Sequence, residues 1–304
     1  MTRLLDPVQT AARLPYPVLV EELKTLLADD TVQVPERVVQ ALPGGGTLFV
    51  MPAADAIVAM AKLATYTPAN AGTSRPAIQG DVVVFDVTTG ERLLILDGPT
   101  VTARRTAAVS LLAAQQLAPD PEGALLIVGA GAQGWAHLDA FTQGLNVRRV
   151  FVASRGQASA LALANHAREL GLSADVVPDA RAAIDECALI VTCTPANGVV
   201  LSGRPRDDAF IAAVGAFTPR MVELDPGLCQ ECASAGRIVV DTPQARHEAG
   251  DLLQAGLDPA AYPTLRDVVL GDPGAHDGPV LFKSCGWAGW DLAAARCAVR
   301  DGSG

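Results

Sequence analysis

Aromatic residues are scarce in this sequence, 4% of 304 residues, and only 18% of its residues are charged. Few charges do not make it disordered: half of the residues are apolar and the mean hydropathy is positive, enough to bury a substantial core. Positive charge is short as well, with 23 basic against 33 acidic residues and a net charge of −10. No net field attracts a polyanion, so nucleic acid is not expected as a partner. Long apolar runs are missing: none approaches the roughly 18 to 20 residues that cross a bilayer. The opening MTRLLDPVQT has no apolar signal core. A soluble, cytoplasmic protein that acts on a small molecule, away from membranes, is the expectation.

Cysteine is present but not concentrated. Cys187, Cys193, Cys229, Cys232, Cys285 and Cys297 lack the density of a disulfide scaffold, which suits reduced thiols in a cytoplasm. Cys229 and Cys232 form a lone C-x-x-C inside PGLCQECASAG, which reads as a short helix, and no second pair completes four zinc ligands. The histidines, His137, His166, His247 and His276, show no ligand spacing, so no metal is expected.

What is present is an ordered change of pattern. PVLVEELKTLLADD carries Val18, Leu19, Leu23, Leu26 and Leu27 near one helical face and predicts an amphipathic helix that starts the fold. Short apolar runs follow, and Thr89-Gly90 between two of them predicts a hairpin. TVTARRTAAVSLLAAQQLA predicts a long helix over 100–118 with Thr102 as its N-cap, ended by Pro119-Asp120-Pro121-Glu122-Gly123. Beyond that break strands and helices alternate, with a helix expected near 180–186. The fold class is therefore α/β, a Rossmann-type doubly wound parallel sheet preceded by an α+β region, with the boundary near residue 119.

The strand Ala124 to Val128 runs directly into Gly129-Ala130-Gly131-Ala132-Gln133-Gly134, a G-x-G-x-x-G that opens a helix. In that setting the first glycine allows a tight turn, the second lets backbone N–H groups approach a pyrophosphate, and the third packs helix on strand. The plain alternative is an ordinary glycine-rich turn. About 20 residues on, where a carboxylate would hold the ribose of NAD, the chain reads Ser154-Arg155. A hydroxyl and a guanidinium suit a 2′-phosphate, so NADPH is expected over NADH, unless Arg155 is only a solvated helix-start residue. Thr192 and Thr194, at the end of a later strand, are further cofactor candidates.

MAKLATYTPAN, ARRTAAVS, AVGAFTP-x-x-x-EL, VVD-x-x-x-A-x-x-E-x-GDL and FKS-x-G-x-x-x-x-D-x-AAA, in this order, resemble the ornithine cyclodeaminase/mu-crystallin family over roughly Val34 to Ala295. The resemblance implies a dinucleotide-dependent enzyme acting on cyclic imino acids or amino acids, and a homodimer. It implies a substrate-binding and dimerisation domain from 1–118 with about 287–304, and an NADP-binding Rossmann domain over 119–286. It also implies that Arg37, Lys62 and Arg105 bind substrate, with Lys62 the catalytic candidate. Glu248 would lie at the ligand pocket, and Val214 and Ser284 near the nicotinamide. The bottom-up reading adds that only three of the 23 basic residues are lysines, and that Lys62 among apolar neighbours would have a lowered pKa. The plain alternatives are a lysine that snorkels from a helix and arginines paired with acidic neighbours.

One departure bears on the chemistry. Cyclodeaminases of this family place an aspartate after the strand-end glycine, whereas this chain reads Val214-Gly215-Ala216-Phe217. Phe217 cannot move a proton, and ring closure with loss of ammonia needs a group that can. The expectation is NADPH-dependent reduction of Δ1-pyrroline-2-carboxylate or Δ1-piperideine-2-carboxylate to L-proline or L-pipecolate, with Phe217 against the ring. The alternatives are an ornithine cyclodeaminase, an amino-acid dehydrogenase, or a non-catalytic NADPH-dependent binding protein.

Overall fold

The computed structural model describes residues 3–70, 73, 75–195, 197–272, 274 and 277–300; His276 lies outside them. In chain order the first elements are β1 (Arg3–Leu4), α1 (Pro7–Ala12), α2 (Tyr16–Leu27), β2 (Val38–Ala41), β3 (Thr47–Ala54), β4 (Val58–Tyr66), β5 (Ile78–Asp86), β6 (Arg92–Asp97) and α3 (Gly98–Leu117). Then come β7 (Leu125–Val128), α4 (Ala132–Gly144), β8 (Arg149–Ala153), α5 (Gln157–Glu169), β9 (Ser173–Val177), β10 (Leu189–Thr192), β11 (Asn197–Leu201), β12 (Phe210–Ala213) and β13 (Val222–Leu224). The remainder are α6 (Pro226–Ala235), β14 (Arg237–Val240), α7 (Gly250–Gln254), α8 (Leu265–Leu270), β15 (Val280–Lys283) and α9 (Ala288–Arg300). Two compact units divide the chain, residues 1–105 with 287–304, and residues 106–286, so the division falls inside α3.

The first unit is a six-stranded sheet in the order β1-β6-β5-β4-β3-β2. Its strands are antiparallel except where β1 joins β6. Alternation decides which face is covered: Val58, Met60, Lys62 and Ala64 of β4 point inward while Leu63 stays exposed. The inner face packs on α9, which also lies against α2. From Ala288 to Ala298 α9 is buried throughout, because its alanines let it approach the sheet closely. Two expectations need correction. α2 does not start the fold, since β1 and α1 precede it, α1 being closed by a capping box between Asp6 and Gln9. Thr102 is not an N-cap: α3 begins four residues earlier, the Asp97 carboxylate accepts the Thr100 N–H at 2.8 Å, and the Thr102 hydroxyl bonds back to Gly98.

The second unit holds a seven-stranded, all-parallel sheet in the order β14-β15-β12-β10-β7-β8-β9. β7, β10, β12 and β15 are buried at every residue, as strands covered on both faces are, and only Thr192 and Lys283 at their ends are not apolar. The chain moves outward from β7 through β8 to β9, then returns to the other side at β10. β7 and β10 therefore flank the switch point where doubly wound sheets bind ligands beyond the carboxyl ends of their strands. The helix expected near 180–186 is only a single tight turn at Ala180–Ala182. Asp179 caps it, and Ala183 and Ile184 are buried under the sheet as irregular chain.

Candidate active site

Lys62 is carried by a strand and not by a helix, at a register position that points it into the apolar interior of the first unit. Its side chain is 6% exposed. Asp291 of α9, fully buried, lies 3.2 Å from Lys62 Nζ and 3.2 Å from Arg105 Nε. Among the described residues this carboxylate is the charge partner shared by both cations, and the Arg105 Nε has no well-aligned acceptor. Burial, followed by the neighbouring Arg105 and Arg37, lowers the Lys62 pKa to about 8 against the pull of Asp291. Lys62 and Arg105 thus carry more positive charge than Asp291 neutralises, the condition under which a buried anion is welcome, and the half-buried Arg37 adds to the field that Lys62 feels. Among the described residues the other buried cation of this unit, Arg296, has carboxylates in excess around it: it donates to Asp29 and Asp55 and lies near Glu22.

In the second unit each motif glycine has a different constraint. Gly129 has a positive φ of 116°, which a side chain would strain. A Cβ at Gly134 would fall 2.1 Å from the Gly129 carbonyl, so this glycine is what lets α4 pack on the turn. A Cβ at Gly131 would meet nothing within 4 Å. That space lies at the N-terminus of α4, which no side chain caps. Open space, free N–H groups and the positive end of a helix dipole fit a dinucleotide pyrophosphate. Gly131→Ala should therefore leave the thermal midpoint unchanged or slightly raised while weakening dinucleotide binding. Gly134→Ala should cost stability, about 1–3 kcal/mol or more. A melting curve beside a cofactor titration checks both, and equal binding losses without any stability difference would contradict the assignment.

Ser154 is half-buried at the end of β8, and Arg155 beside it is exposed with no partner among the described residues. Thr192 is fully buried and its hydroxyl lacks a hydrogen-bond partner, whereas the Thr194 hydroxyl donates to Glu223 at 3.0 Å. Ser284 likewise spends its hydroxyl on Asp241 at 2.9 Å. Val214 ends its strand with its N–H bonded to Thr192. Phe217 is 38% exposed in the loop after β12, and Glu248 is half-buried at the end of a tight turn. His137 is accounted for structurally: Nδ1 donates to the Gln133 carbonyl, Nε2 accepts from the Ser110 hydroxyl, and burial lowers its pKa to about 4.

Sequence reasoning left five charged residues without a role. Asp291 is one; the others are Glu223, Asp251, Asp241 and Lys283, all buried in the second unit apart from Asp291. Their signal was available, because each interrupts an apolar segment and each is a lettered position of the motifs quoted above. Glu223 receives the N–H groups of Thr194, Gly215 and Ala216, and Asp241 those of Thr242, Cys285 and Gly286. Burial raises the Glu223 pKa, while Lys283 and these N–H donors favour its charged form. Two surface concavities, about 630 Å³ beside Arg206 and about 450 Å³ beside Gln33, share no residue with these groups. Arg206 there is already satisfied by both oxygens of Asp208.

Comparison with known proteins bears on the same features. The model of the ornithine cyclodeaminase/mu-crystallin family matches residues 16–302. Delta(1)-pyrroline-2-carboxylate reductase 1 of Burkholderia multivorans is 39% identical over 98% of this chain and 95% of its own. The Delta(1)-pyrroline-2-carboxylate/Delta(1)-piperideine-2-carboxylate reductase of Azospirillum brasilense is 39% identical over 97% of this chain and 94% of its own. In fold, the chain is similar to the solved Delta(1)-pyrroline-2-carboxylate reductase of Thermococcus litoralis, in complex with NADH and L-proline. That likeness has a TM-score of 0.89 over 98% of this chain and 96% of that one, at 23% identity.

Proposed function

The chain belongs to the ornithine cyclodeaminase/mu-crystallin family, and from that premise we propose that it reduces five- or six-membered cyclic ketimines bearing a carboxylate to L-proline or L-pipecolate. The observation that carries the reading is the carboxylate shared by Lys62 and Arg105, which leaves the buried cluster one negative charge short. A substrate carboxylate supplies that charge. Arg105 offers the planar fork that matches it, and Arg37 adds to the field. Relatives named as reductases of these two imino acids, 39% identical over nearly the whole chain, support the same substrate class.

Bound NADPH would deliver hydride to the imine carbon, so that C=N becomes CH–NH once the nitrogen takes a proton. The residues of this chain do the rest. Lys62, held as an ammonium by Asp291, donates a hydrogen bond and then its proton to the imine nitrogen, which makes the adjacent carbon a better hydride acceptor and leaves Lys62 as the neutral amine. Phe217, exposed and unable to exchange a proton, offers an apolar wall to the ring. Glu248 is assigned a substrate contact. Gly129 to Gln133 would receive the pyrophosphate, with Val214, Ser284, the buried Thr192 and the half-buried Thr194 at the strand ends beyond it. Ser154 and the unpartnered Arg155 favour NADPH over NADH.

The first unit's sheet supports a homodimer. Its outer face carries Val38, Leu48, Val50, Leu63, Val83 and Ile95, with Val38 55% and Leu63 42% exposed. Asp81, Asp97 and Gln40 share that face, and the apolar residues between them are ones that a second copy would cover. A sedimentation mass of one chain would remove that assignment. Among the described residues no helix is long and apolar enough to cross a membrane.

The reaction is tested by mixing purified protein with NADPH and Δ1-piperideine-2-carboxylate or Δ1-pyrroline-2-carboxylate and following the near-ultraviolet absorbance of the reduced nicotinamide. Cofactor oxidation and the L-amino acid are expected. No oxidation above blank with either imino acid overturns the reading.

A further inference from the structure

We propose that Glu223, seated by Lys283 and Asp251, is a positioning residue of the reductase: it locks together the loops after β10 and β12 that present the nicotinamide edge and Phe217. The inference rests on the reductase reading above. The Glu223 side chain is fully buried and gathers four donors, the Thr194 N–H at 2.6 Å, the Thr194 hydroxyl at 3.0 Å, and the N–H groups of Gly215 at 2.7 Å and Ala216 at 3.2 Å. One carboxylate thus joins two loops, at Thr194 and at Gly215, that are 21 residues apart in sequence.

The anchor is itself held. Asp251 Oδ1 accepts the N–H groups of Glu223 at 2.6 Å and Leu224 at 2.9 Å, while Oδ2 lies 2.8 Å from Lys283 Nζ. Lys283 also donates to the carbonyls of Ala216 at 2.6 Å and Ala213 at 3.3 Å. Ala216, the residue before Phe217, is therefore gripped by its N–H and by its carbonyl. Gly215 permits the approach, since a Cβ there would fall 2.1 Å from the Thr194 carbonyl and 2.5 Å from Glu223 Oε1. Burial pulls the Lys283 pKa down, but Asp251 and Glu223 carry it above its ordinary value, so the ammonium persists. Three buried charges are a poor source of stability, because desolvation consumes most of their attraction. Their value is directional. They fix two loops at the carboxyl edge of the sheet, where a rotated nicotinamide would lose its alignment for hydride transfer.

The test uses Glu223→Gln and Asp251→Asn in the full chain. Each is titrated with NADPH, following both affinity and the emission anisotropy of the bound reduced nicotinamide, and is then assayed with both imino acids. Glu223→Gln turns an acceptor of four donors into an amide that presents donors of its own. We expect kcat to fall about 10- to 100-fold and nicotinamide anisotropy to drop, while NADPH affinity, set by the glycine loop and Arg155, changes by less than about threefold. Asp251→Asn keeps an acceptor for both backbone N–H groups and should move kcat and anisotropy the same way by less.

Unchanged kcat and anisotropy in a folded Glu223→Gln protein would overturn the proposal, as would affinity lost in step with kcat, which marks a merely structural role. If Glu223→Gln does not fold, wild-type kcat and anisotropy in Asp251→Asn overturn it. Should the wild type reduce neither imino acid, the reductase reading fails, and the anisotropy comparison still judges the clamp by itself.

Discussion

Lys62→Met is expected to lower kcat/KM for the cyclic imino acid about 10²- to 10⁴-fold at neutral pH, the range lost when a positioned proton-donating group is removed. The protein should remain folded, because Asp291 keeps Arg105 as its partner and methionine suits the apolar surroundings of β4. The pH profile gives the sharper test. With a pKa of about 8, Lys62 is an ammonium at neutral pH and loses its proton just above it. The rate should therefore fall as pH rises through about 8. In Lys62→Arg the residual activity should lose that limb, since a guanidinium stays charged, which separates the enzyme's ionisation from the substrate's.

Asp291→Asn should shift the limb to lower pH. Burial, Arg105 on α3 and Arg37 ahead of β2 all press the Lys62 pKa down, and Asp291 on α9 is the carboxylate that opposes them. A full rate in Lys62→Met, or an unmoved limb in Lys62→Arg, would refute the role. Stability has the matching sign. The folded pKa lies below the ordinary lysine value, so between about 8 and 10.5 the unfolded chain binds more protons than the folded one. The Lys62 contribution to stability consequently rises with pH across that window, and the burial penalty is fully present below it.

Arg155→Asp should exchange the cofactor preference. The Arg155 guanidinium is exposed and has no partner among the described residues, so its loss costs the fold nothing. For a 2′-phosphate it means a lost charge-assisted bond and a new repulsion, while for a ribose diol the new carboxylate is an acceptor. NADPH should weaken about 10- to 100-fold and NADH should gain. The NADPH term should shrink in high salt, because this site is open to solvent. Steady-state kinetics with each cofactor reads the result directly, and an unchanged ratio would detach Arg155 from the phosphate.

Much of the second unit was legible in the sequence because its signals are local. A strand buried on both faces has to be apolar at nearly every position, and β7, β10 and β12 are. A strand-to-helix turn this tight has to be glycine, and Gly129 and Gly134 mark it. The errors arose where tertiary packing supplied what local pattern did not. The segment 180–186 has the composition of a helix, yet capping by Asp179 and the burial of Ala183 and Ile184 leave it one turn long. Thr102 resembles a cap, but Asp97 reaches the chain first.

By itself the sequence determined the class of fold, the glycine-rich turn from strand to helix, and a lysine rare enough to single out, since each is written in neighbouring residues. Only the tertiary structure decided what balances that lysine. Asp291 lies 229 residues away along the chain and reaches it because α9 packs on β4. The same holds for Glu223, Asp251 and Lys283, whose charges look misplaced in apolar segments until β13, β15 and α7 bring them together. The physical reason is common to both. Coulomb attraction and hydrogen bonding act over a few ångströms of space, whatever the separation along the chain, so a buried charge has a meaning only once its partners are in place.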